Sequence, residues 1–117
     1  MSGYSDKVRQ LVAKLPRRGE LAEGTNQGEA SNPVCGDVTR LFLLVQDGQL
    51  NRVRFQARGC PAALAGAAGL AEMTEGLSVD QALQVSTDDL LQHLDGLPSH
   101  KRHGAEMAVA ALRQALS

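Results

Sequence analysis

Two apolar runs joined by Asp47-Gly48 constrain this chain more than any other feature. Both central positions of a type I′ turn need positive φ, and Asp-Gly is a pair that tolerates it. Before the turn, Val38 to Gln46 is dense in β-branched and large apolar residues and reads as a strand. After it, Leu50 to Ala57 alternates Val53, Phe55 and Ala57 with Arg52, Arg54 and Gln56. That period of two predicts a hairpin with one buried and one wet face. The polar run Glu29 to Val34 is short enough to add an edge strand, and Gly19 to Gln27 is expected to be a loop.

Helical signals lie on both sides of this hairpin. Val8, Leu11, Val12 and Leu15 share one helical face, so Tyr4 to Leu15 reads as a short amphipathic helix that Pro16 ends. Pro61 sits at a first-turn position for a helix over Pro61 to Glu75, which Gly76 stops. Ser78 with Gln81 resembles a capping box for Val79 to Val85, and Ser86 or Thr87 can cap Asp88 to Leu94. Gly96-Leu97-Pro98 breaks the chain, and Ser99 is expected to cap a last helix running to about Leu116. Strands first and helices afterwards predict an α+β fold. A small antiparallel three-stranded sheet would pack against helices on one face, with an N-terminal helix and a helical C-terminal half.

The 117 residues suit a single domain over 1–117. With 43% hydrophobic and only 3% aromatic residues, its core must be built from Leu, Val and Ala. A net charge of −1 argues against a nucleic-acid partner, which would ask for a basic surface. No stretch reaches the roughly 18 apolar residues of a membrane span, so no membrane association and a cytoplasmic address are expected. In that compartment Cys35 and Cys60 are read as free thiols, and a free cysteine is often only a small buried hydrophobe.

Cys35 and Asp37 lie in the tight Asn32 to Asp37 connection that enters the hairpin. Cys60 lies where the second hairpin strand gives way to a helix, near a helix N-terminus that favours thiolate. His103 falls in the first turn of the last helix, with Met107 and Ala111 on the same inward face. Two thiolates, an imidazole and a carboxylate form a tetrahedral donor set for zinc or a mixed set for an iron-sulfur centre. Spacing alone leaves other readings open. Twenty-five positions separate Cys35 from Cys60 (60 minus 35), His103 can be a satisfied core histidine, and Asp37 can be a turn residue.

Four ordered segments resemble the IscU and NifU N-terminal family: Tyr4-Ser5-Asp6-Lys7-Val8, Asn32-Pro33-Val34-Cys35-Gly36-Asp37, Gly59-Cys60 before a small-residue helix, and Leu97-Pro98-Ser99-His100-Lys101-Arg102-His103-Gly104. The resemblance implies a scaffold, not an enzyme, on which a cysteine desulfurase deposits sulfur and an iron donor deposits iron. A [2Fe-2S] cluster forms there and passes to acceptor apoproteins. Cys35 and Cys60 would be its thiolate ligands, His103 an auxiliary ligand and Asp37 a weak one, and zinc can occupy the same groups.

The chain departs from the family in three places. Gly104 stands where the family has a cysteine that accepts the incoming persulfide, and a helical glycine costs roughly 1 kcal/mol relative to Ala with no local gain legible in the sequence. Gly66, Ala67 and Ala68 stand where serines are usual. Ser99 and His100 replace a proline and an apolar residue, which weakens the implied partnership with an Hsp70-type chaperone. His100, one turn before His103, reads first as a solvated first-turn histidine and second as a substitute donor. Gly104 also motivates a second reading, an adaptor that binds the desulfurase without building clusters. A zinc hydrolase ranks below both, because no separate general base is evident.

Overall fold

The computed structural model describes residues 3–33 and 36–117. Helix α1 (Asp6–Lys14) precedes three strands, β1 (Asn26–Asn32), β2 (Asp37–Gln46) and β3 (Gln49–Arg58). Helices α2 (Pro61–Thr74), α3 (Val79–Leu83) and α4 (Thr87–His93) follow, then a 3-10 turn at Ser99–Lys101 and helix α5 (His103–Leu116).

The sheet is antiparallel in the order β1-β2-β3. Asp47 at φ 54 and Gly48 at φ 74 make the turn that this dipeptide predicts. Thr39, Leu41 and Leu43 on β2 pair with Ala57, Phe55 and Val53 on β3 and face the helices. A register shift between Leu44 and Val45 then brings Leu50 into the same core. The outer face is not uniformly wet, because Phe42 is only 8% exposed.

β1 corrects the expected edge strand. It runs from Asn26 to Asn32 rather than from Glu29, and Val34 lies outside the described residues. Its polar, glycine-bearing sequence has little strand propensity, but β2 supplies a ladder from Asn26↔Leu43 to Asn32↔Asp37. The other free edge is closed too. Phe55 N–H donates to Arg17 O, Gly19 N–H donates to Phe55 O, and Val53 N–H donates to a Glu75 carboxylate oxygen.

α2 is the central helix. It is rich in Ala and Gly, so neighbours can approach it closely on nearly every side, and ten of its fourteen residues are buried. α1 packs on it through Val8 and Leu11, capped by the Ser5 hydroxyl, which accepts from Val8 N–H and itself donates to Leu94 O. α3 and α4 begin with full capping boxes, Ser78/Gln81 and Ser86/Asp89.

Ser99 does not cap α5, which corrects a second expectation. Residues Ser99–Lys101 instead form the 3-10 turn, and Lys101 N–H donates to Pro98 O. Helix α5 starts at His103 with no side-chain cap, because its first turn packs directly against α2. Among the described residues, no helix is long and apolar enough to cross a membrane.

Candidate metal centre

The site is assembled from the ends of elements. Asp37 opens β2, and strand alternation turns its carboxylate inward with Thr39 and Leu41, leaving the residue 3% exposed. Cys60 precedes α2 in an extended conformation (φ −72, ψ 164), and Pro61 at the first helical position has no N–H to leave unpaired. His103 begins α5 on the face that buries Met107 and Ala111. Cys35, the fourth expected donor, lies outside the described residues.

Gly59 makes the approach of Cys60 to Asp37 feasible. Its φ of +136 disfavours other residues, and a Cβ there would overlap the Asp37 carboxylate and stand 2.9 Å from Asp37 Cβ. The Cys60 backbone N–H then donates to Asp37 Oδ1 at 3.3 Å. Cys60 Sγ is 3.3 Å from Asp37 Oδ2 and 3.7 Å from His103 Nε2, and His103 Nε2 is 3.1 Å from the same Oδ2.

These three distances have a chemical meaning. Around a tetrahedral ion with bonds of about 2.0 to 2.3 Å to N, O and S, donor atoms lie roughly 3.3 to 3.7 Å apart. The observed triangle is within a few tenths of an ångström of that. A divalent cation bound at this point would take up the lone pairs of the sulfur and the imidazole in competition with protons. The ligand atoms of Asp37, Cys60 and His103 all lie within 4.8 Å of one another. His100 does not join them: it is exposed in the 3-10 turn.

Two features of the site escape sequence reasoning. Tyr4 lies within electrostatic reach of the donors. Burial pushes its hydroxyl pKa up, the negative charges of Cys60 and Asp37 add to this, and the Lys101 ammonium opposes it. No local pattern links Tyr4 to residues so far along the chain. The second is Gly104, whose helix cost has a structural return after all. A Cβ there would overlap the Ala62 carbonyl oxygen and lie 2.5 Å from Ala62 C and 2.9 Å from Ala63 N. Glycine is what lets α5 reach the start of α2.

The fold and site together define a small α+β protein that brings carboxylate, thiol and imidazole donors from three distant segments to one point. The chain belongs to the NifU-like N-terminal domain family, whose pattern matches residues 3–117. It is 34% identical over 113 residues to the iron-sulfur cluster assembly scaffold protein IscU 1 of Archaeoglobus fulgidus, covering 97% of this chain and 74% of that one. To the nitrogen fixation protein NifU of a Nostoc species it is 36% identical over 124 residues, covering 99% of this chain and 41% of the relative. The fold matches the NifU-like N-terminal protein of Brucella abortus with a TM-score of 0.80 at 14% identity, over 96% of this chain and 90% of that one.

Proposed function

We propose that this chain is a scaffold of iron-sulfur cluster assembly, a single domain that holds iron, a [2Fe-2S] cluster or zinc through Cys35, Asp37, Cys60 and His103. The observation that carries the reading is the donor triangle of Asp37, Cys60 and His103, with edges of 3.1 to 3.7 Å. Family membership supplies the cargo, since the Archaeoglobus relative is named as an iron-sulfur cluster assembly scaffold. A carboxylate is a weaker ligand for iron than a thiolate, which suits a centre that must be released to an acceptor apoprotein. On this reading the protein turns over no small molecule. It takes sulfur from a cysteine desulfurase and iron from a donor.

Anaerobic reconstitution with iron, sulfide and a desulfurase tests it. Visible charge-transfer absorption should develop in the wild-type protein and be lost in Cys60→Ser and Cys35→Ala. A colourless wild-type protein without bound iron overturns the cluster reading. Metal analysis of the protein as purified separates zinc from iron.

One observation favours a second reading. The space a side chain at position 104 would need is filled by the α2 backbone, so no sulfur acceptor stands there. An adaptor that engages the desulfurase without receiving sulfur would look like this. Desulfurase pull-down without persulfide transfer supports the adaptor; labelled sulfur on Cys35 or Cys60 rules it out.

A further inference from the structure

We infer that Gly104 and Gly66 form a backbone-to-backbone joint between α5 and α2 that sets His103 against Cys60, and that position 104 is therefore closed to any side chain, cysteine included. Gly104 directly follows His103, and the atoms a Cβ there would strike belong to Ala62 and Ala63, two and three residues after Cys60. The contact is reciprocal. A Cβ on Gly66 would overlap the Gly104 carbonyl oxygen and stand 2.9 Å from its carbon. Two glycines on facing helices thus remove the side-chain layer that normally holds helix axes about 8 to 10 Å apart. Gly104 adjoins His103, and the Ala62 and Ala63 atoms it meets lie within one turn of Cys60, so a shift there moves Cys60 Sγ relative to His103 Nε2 with little to absorb it.

Backbone atoms cannot change rotamer to make room, whereas side chains can. A methyl group at 104 or 66 therefore forces the two helices apart, and the 3.7 Å Sγ to Nε2 distance opens with them. Gly69 provides a matched contrast. It is also buried in α2, but its Cβ would meet the Leu94 side chain, 2.8 Å from Cδ2, away from the donors. The glycine pair thus has a positioning role, and Gly104→Cys would add a thiol while damaging the geometry that could use it.

This inference rests on the metal reading of the site, and its test keeps the two separable. Zinc affinity is measured by competition with a chromophoric chelator, and the cobalt(II) spectrum and melting temperature are recorded, for wild type, Gly104→Ala, Gly104→Cys, Gly66→Ala and Gly69→Ala. At matched loss of melting temperature, Gly104→Ala and Gly66→Ala should weaken zinc by about 10-fold or more, the range seen when the support of a metal ligand is removed, while Gly69→Ala stays near wild type. Their thiolate-to-cobalt charge-transfer band should weaken in parallel, and Gly104→Cys should bind zinc no more tightly than wild type. Zinc affinity in Gly104→Ala equal to that in Gly69→Ala, or tighter binding in Gly104→Cys, overturns the proposal. Metal-free wild type gives a second arm that needs no variant. Nuclear Overhauser contacts from the His103 ring protons to the Cys60 β-protons should be present, and their absence overturns the joint as a positioning device. Wild type that shows these contacts yet binds no zinc would sink the metal reading and leave the joint standing.

Discussion

At the scale of single residues, the site depends on side chains that are missing as much as on those present. Gly59 is the sharpest case away from the α2–α5 joint. Alanine there would need a backbone conformation that L-residues rarely adopt and would drive its methyl into the Asp37 carboxylate. Gly59→Ala should cost about 1 to 3 kcal/mol of stability, as strained backbone typically does. It should also break the Cys60 N–H bond to Asp37 Oδ1. Chemical denaturation reads the first effect and zinc competition the second. A variant that binds zinc like wild type would show that Asp37 is not held by this contact.

At the scale of elements, the end of α2 is tied to the sheet by Glu75. Its carboxylate accepts from Val53 N–H at 2.9 Å and Arg54 Nη1 at 2.8 Å, and Arg17 Nε lies 3.4 Å away. Burial pushes this carboxyl up, but the Val53 N–H, Arg54 and Arg17 outweigh it and hold it below its ordinary 4.5. A carboxyl depressed in the folded state stabilises the fold fully above the unfolded value and loses that contribution as pH falls through the lower folded value. Wild type should therefore exceed Glu75→Gln in melting temperature most at neutral pH, with the gap closing below about pH 4.5. Charge-assisted hydrogen bonds of this kind contribute about 1.5 to 3 kcal/mol each at most, less where partly exposed as here. A gap that grows on acidification would contradict the assignment. The same tie explains an edge that sequence patterning leaves open. β3 alternates like any amphipathic strand, and nothing in Leu50 to Ala57 announces that Glu75 and Arg17 complete its hydrogen bonding.

At the scale of the whole molecule, a core almost without aromatics leans heavily on Phe55. It is fully buried on β3, paired across to Leu41, and is the largest fully buried side chain among the described residues. Phe55→Ala should cost roughly 3 to 5 kcal/mol, a large share of a small domain's roughly 5 to 15 kcal/mol, and the urea midpoint should fall accordingly. A loss below 1 kcal/mol would mean that the surrounding Ala-rich helices collapse into the space. Most of the architecture is written locally. Asp47-Gly48 specifies its hairpin, Ser78 and Ser86 start their helices, Pro61 begins α2, and Pro16 closes the first helical segment, because each acts through partners a few residues away. The same local logic places Asp37, Cys60 and His103 at the ends of elements. Their meeting, the nearness of Tyr4, the pairing of the polar strand β1 and the reason for Gly104 are settled only by tertiary structure. Each of these depends on atoms many positions away in sequence and on helix separations that no single segment encodes.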